Sequence, residues 1–154
     1  MGYEGADGIY YRYDETRGKN LSLTRQQYIM NRAADLSDSW LMAIGQPMSG
    51  GETGFVIPRP ATITAITAKS QQVDGDDSEI YIRKNDITPI NADNSLLTLQ
   101  FNQTAANSGE TIISGSLNID MEEGDFLQAI AQQVVGSGVI QYPIITVEGA
   151  WRDE

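Results

Sequence analysis

Apolar and polar residues alternate over short runs through most of this chain, and polar, glycine-marked breaks separate the runs. Ile80 and Ile82 alternate with Tyr81 and Arg83, which predicts a strand over 79–84 with the isoleucines inward and Tyr81 and Arg83 outward. Leu97, Leu99 and Phe101 alternate with Thr98 and Gln100; Leu117, Ile119 and Met121 alternate with Asn118 and Asp120. A short strand is expected from Thr111 to Ile113. The tight turn Glu122–Asp125 leads into a strand over 126–131, and 140–152 closes the chain with Ile145, Val147 and Trp151 on one face. No long helical period runs through the sequence. The pattern predicts an all-β, antiparallel β-sandwich, and a jelly-roll-like arrangement of about eight strands suits the length.

The stretch Gly54–Ser70 organises this pattern. Pro58 and Pro60 cannot donate to a sheet ladder, so the chain around Arg59 is a strand end, an edge or a crossover. The β-branched run that follows favours a pleated surface. Ile63 and Ile66 lie three apart, so strict alternation cannot place both on one face. Either a β-bulge re-phases the strand or one isoleucine meets a second interface. The residues before Gly54 read as a less regular lead-in.

Within that lead-in, residues 1–20 read as an extended N-terminal arm, rich in tyrosine and poor in aliphatics, resting on its own domain or on a neighbouring subunit. Residues 21–154 form the sandwich domain. Leu21–Asn31 alternates as a strand would, while Thr24 and Gln27 resemble the capping box of a rival helix; the strand is preferred. Gly45–Gly54 is expected as a loop, and Gln71–Ser78 as a turn in which Asp74-Gly75 signals a hairpin.

Composition narrows the function. The 154 residues contain no cysteine and no histidine. Disulfide frameworks, thiolate and imidazole metal sites, and Ser-His-Asp or Cys-His catalysis are thereby excluded. A formal net charge of −11 repels phosphate backbones and anionic lipid, so neither nucleic acid nor membrane is an expected partner. No apolar run approaches the roughly 20 residues of a membrane helix. The start MGYEGADG has neither the basic nor the apolar region of an export signal.

Several short motifs occur together in order: Tyr13-Asp14 with Arg17-Gly18-Lys19 and Leu21-Ser22, Gly54 with Pro58-Arg59 and Ala61–Thr64, Ile82–Asn85, Gly124–Leu127, and Pro143 through Ala150-Trp151-Arg152. Together they resemble small virion proteins of tailed bacteriophages, whose jelly rolls serve as capsid decoration (cement) proteins and tail-fibre tips. The spacing from Leu117 to Gly124-Asp125-Phe126-Leu127 also resembles the late strands of trimeric jelly rolls of the tumour-necrosis-factor and complement type. The resemblance implies a homotrimer, a place on a virion, and the phage major capsid protein as partner.

Two acidic clusters invite chemistry. Asp74, Asp76, Asp77 and Glu79 lie close in sequence, as the oxygen ligands of a calcium loop do, without the full EF-hand pattern; a solvated turn is the preferred reading. Asp120, Glu122, Glu123 and Asp125 could hold a glycosidase carboxylate pair, and a charged hairpin tip is preferred. No metal, cofactor or enzymatic activity is expected. The interaction candidates are Tyr11, Arg12, Tyr13, Arg17 and Lys19 in the arm, Arg59 in the proline loop, and Trp151. Shell decoration is the first functional expectation. The alternative is a receptor-binding module of a tail fibre that recognises a host glycan or protein.

Overall fold

The computed structural model describes residues 1–32, 35–36, 39–43, 46–47, 54–85, 95–133 and 137–153. Among these the chain is all strand, turn and loop. The first strands are β1 (Gly2–Glu4), β2 (Tyr10–Asp14), β3 (Lys19–Asn31), β4 (Asp35–Leu36), β5 (Ser39–Trp40), β6 (Met42–Ala43), β7 (Gln46–Pro47) and β8 (Phe55–Val56). They are followed by β9 (Ala61–Lys69), β10 (Gln72–Asp74), β11 (Ser78–Lys84) and β12 (Ser95–Phe101). The last are β13 (Thr111–Ser114), β14 (Ile119–Met121), β15 (Phe126–Gln133), β16 (Val139–Gln141) and β17 (Ile144–Arg152).

Every pairing is antiparallel. The larger sheet runs β1-β2-β3-β17-β9-β13, with β14 also on β9, and the facing sheet runs β12-β11-β15-β5, with β8 also on β15. A small third sheet, β10-β16-β4, joins them. The chain passes repeatedly from sheet to sheet, so its last long strand lies between β3 and β9 in a jelly-roll-like sandwich. Tyr28, Met30, Ile66, Ala68, Ile145 and Val147 of the larger sheet meet Ile80, Ile82, Leu99, Phe101, Leu127 and Ala129 of the facing sheet in one core.

The central strand β9 carries the expected bulge. Its register against β17 slips between Glu148, opposite Ala65, and Gly149, opposite Ile63, which leaves Thr64 as the extra residue. Ile63 and Ile66 are therefore both buried in the same core. Trp151 keeps phase with Ile145 and Val147 and packs against that core.

Other expectations are borne out or corrected. Among the described residues before Gly54 is β3, at 13 residues the longest described strand, so the main sheet begins well before the organising stretch. The arm expected over 1–20 contributes the pair β1–β2, which continues the larger sheet from β3 and so lies on its own domain, one of the two placements expected for it. The strand preferred over Leu21–Asn31 is borne out within β3, with no helix from Thr24. Tyr81 and Arg83 do alternate with Ile80 and Ile82, but they are buried too, because both faces of central β11 are covered. Asp74-Gly75 makes no hairpin: β10 pairs with β16 and β11 with β12 and β15, so the turn carries the chain between sheets. The expected loop 45–54 falls outside the described residues except for β7 and Gly54.

Candidate functional site

Three of the expected interaction residues meet through a residue that sequence reasoning missed, Asp7. It sits in the β1–β2 turn, where its Oδ1 accepts from the Ile9 amide at 3.0 Å, a local Asx turn. Its Oδ2 accepts from the Tyr11 hydroxyl at 2.7 Å and from Arg59 Nη1 at 2.6 Å. The guanidinium of Arg59 in turn lies 5.8 Å over the Trp151 ring, within cation–π range. Tyr11 is 2% exposed and stacks on Tyr3, whose hydroxyl donates to Asp153. The amide of Ile9, then the Tyr11 hydroxyl and the Arg59 charge, hold the Asp7 carboxyl below its ordinary range. Burial, reinforced by the carboxylate it bonds, pushes the Tyr11 phenol up to about 12. This cluster fastens the first turn to the proline loop and the last strand.

Arg17 and Lys19 also turn inward. Arg17 donates from Nε to Leu117 O at 2.6 Å, and from Nη2 to Thr64 O at 3.0 Å and Gly115 O at 2.9 Å. Its Nη1 pairs with Asp14 Oδ2 at 2.7 Å. One planar fork thereby ties the β2–β3 turn to the bulge in β9 and to the loop before β14. Burial alone would raise the Asp14 carboxyl; hydrogen bonds from the Arg17 side chain and amide, with the guanidinium charge, hold it low instead. Lys19 Nζ reaches Asn118 Oδ1 at 2.8 Å and Asp120 Oδ1 at 2.5 Å. Neither cation is left to grip a neighbour by charge alone.

The acidic clusters resolve into caps and ion pairs. Asp74 Oδ1 accepts from the Gly75 amide within the turn, Asp76 Oδ2 from Ser137 and Asp77 Oδ1 from Gln103, so one turn pins two other loops. Asp120 accepts from Thr62 and Lys19 and lies 3.1 Å from Arg152, which also binds Glu122 at 2.6 Å. Asp125 pairs with Lys84 at 2.6 Å. For Asp120 and Asp125, burial is outweighed by hydrogen bonds and nearby cations, and both carboxyls stay below the usual range. A glycosidase acid needs the opposite shift. No group of three acidic residues among those described is arranged to hold a metal ion.

A last buried device was also invisible beforehand. Between Ala150 and Arg152 the register of β17 on β3 slips, and the fully buried Ser22 spans the gap. Its Oγ accepts from the Trp151 amide at 2.9 Å and donates to Thr24 O at 2.7 Å.

Two expected residues remain free at the surface. Arg12 is exposed, and Tyr13 is 53% exposed. They line a groove of about 400 Å³ with Glu15, Leu21, Leu23 and Arg25.

Fold and site define an all-β antiparallel sandwich whose charged groups are spent largely on internal fastening. No family model and no curated protein matches the chain. Among solved structures, the globular domain of zebrafish complement 1qA protein is similar at 10% identity, covering 84% of this chain and 98% of that one with a TM-score of 0.45.

Proposed function

We propose that this chain is a structural protein of a bacteriophage virion, a non-enzymatic decoration protein that coats the outer capsid surface as a homotrimer and stabilises the shell. The observation that carries the reading is the outer face of the larger sheet. There the register aligns Ile29, Thr146, Thr67 and Ile113 across four strands, and Asn31, Ile144, Lys69 and Thr111 in the next row. Ile29, Ile113 and Ile144 are 45%, 76% and 54% exposed. Neither row contains a carboxylate, in a chain with 21 acidic residues against 10 basic ones. Elsewhere copies of so acidic a chain repel one another, so these two carboxylate-free rows, bounded by a Glu148 that is paired with Arg25, are where a second copy is accepted. Tyr142, two residues before Ile144, is half exposed and held at φ +49°, a left-handed conformation costly for a bulky side chain.

The ordered motifs that resemble phage virion proteins support the location, and the fastened hydrogen-bond network suits a chain that must persist on a particle. A protein that binds only the assembled shell stabilises it by mass action. The test is sedimentation equilibrium of the purified protein, then addition to shells stripped of it. A trimer that raises the temperature of shell disruption is expected, with Ile29→Asp and Ile113→Asp giving folded monomers that no longer protect. A wild-type monomer without effect on shells would overturn the reading.

A further inference from the structure

Arg12 is unlike the other cations of this chain. All ten lysines and arginines lie among the described residues. Arg17, Lys19, Arg25, Arg59, Lys84 and Arg152 are in ion pairs, Lys69 donates to Gly109 O and Thr111, and Arg32 and Arg83 are engaged as well. Arg12, among the described residues, has no such partner, in a chain with 21 acidic residues against 10 basic ones. It opens instead onto the groove between β2 and β3.

The rest of that groove narrows what it can hold. Asp14 is consumed by Arg17, and Arg25 is held by Ser22 O and by Glu148 at 3.5 Å. Glu15, exposed on the same wall, has no partner among the described residues, and neither does the Tyr13 hydroxyl. The remaining surface is the Tyr13 ring, exposed Leu23 and buried Leu21. The groove thus presents a free planar donor, a free planar acceptor, an aromatic face and an aliphatic wall, at a volume of about 400 Å³. A polyanion is disfavoured by Glu15 and the net charge of −11, and a cation by Arg12. A purely apolar ligand would strand both charges without solvent. What satisfies all four features is a neutral ring with vicinal hydroxyls on its edge and C–H bonds on its face. We infer that this groove binds a neutral pyranose unit of a surface saccharide, with Arg12 and Glu15 on its hydroxyls and Tyr13 against its face. The inference is independent of where on a particle the chain sits.

Ligand-observed saturation-transfer NMR on the full chain tests it, with the methyl glycosides of glucose, galactose, mannose, rhamnose and N-acetylglucosamine, and methyl glucuronide as the anionic arm. Transfer to the ring protons of at least one neutral glycoside is expected. Tyr13→Ala and Arg12→Ala should each weaken binding about tenfold, as loss of a ring face or a charge-assisted hydrogen-bond pair implies. Their far-ultraviolet circular dichroism and urea midpoints should match wild type, since neither side chain bonds to another described residue. Three results would overturn the inference: no transfer to any neutral glycoside, transfer that survives both substitutions, or binding confined to the glucuronide.

Discussion

Arg17→Ala separates a fastening role from a surface role, because the adjoining strand β2 holds a matched control in Arg12. The Arg17 side chain is 12% exposed and makes four hydrogen bonds, to three backbone carbonyls and one carboxylate. A bond with a charged partner contributes about 1.5–3 kcal/mol net. The four do not add, because they share one group and the exposed Gly115 carbonyl regains water on truncation. A loss of about 3 kcal/mol follows, the scale of breaking a partly buried network. Lys at this position keeps the charge without the fork, and should recover about 1 kcal/mol of that loss. Arg12→Ala should stay within about 0.5 kcal/mol of wild type. Urea unfolding by linear extrapolation is the assay, with an unchanged slope confirming that the effect lies in stability. A change below about 1 kcal/mol for Arg17→Ala, or one equal to that of Arg12→Ala, would refute the reasoning. The same figures mean that lost shell binding in an Arg17→Ala, Lys19→Ala double variant reports on binding only after its folding has been measured.

Three further outcomes follow from the same network. Asp7, Asp14, Asp120 and Asp125 all have carboxyls lowered in the folded state, so their contribution is complete above the unfolded value near 4 and is lost as pH falls through the folded values. Tyr11 and Tyr81 are raised to about 12, so theirs is complete below about pH 10 and lost as pH rises towards 12. With no histidine, urea midpoints should be flat from about pH 5 to 9 and fall on both sides; a step near pH 6.5 would contradict this. Ser22→Ala leaves the part-buried Trp151 amide without its acceptor and should cost about 1–2 kcal/mol by the same unfolding assay. Gly75→Ala places a methyl 2.6 Å from Ser137 O at φ +76°, so it should lower the melting temperature by several degrees, whereas the same change at open Gly115 should be close to neutral.

Local pattern carried much of this fold. The alternation of Leu97 to Phe101 and of Leu117 to Met121 matches the burial of β12 and β14 because each faces one core. The spacing of Ile63 and Ile66 signalled a bulge, since both must reach the same core across three residues. Burial on two faces was not legible, because Tyr81 and Arg83 look like a solvent face until a second layer covers them. Nor did residue type reveal the role of Arg17. Its carbonyl partners Thr64, Gly115 and Leu117 are distant in sequence, and any residue offers a carbonyl. Asp7 went unmarked, because its reach to Arg59 depends on how the sheet closes. Tyr11 looked like a surface aromatic because strand phase alone did not say which face of β2 meets the domain.

The central claim, that this protein coats a capsid, is tested most directly by its copy number in purified particles. Quantitative mass spectrometry against the major shell protein gives the ratio. Abundance comparable to the shell protein is predicted, because only the shell offers that many equivalent sites. A few copies per particle would place the chain on the tail and contradict the claim, and absence from the particle would remove it from the virion altogether.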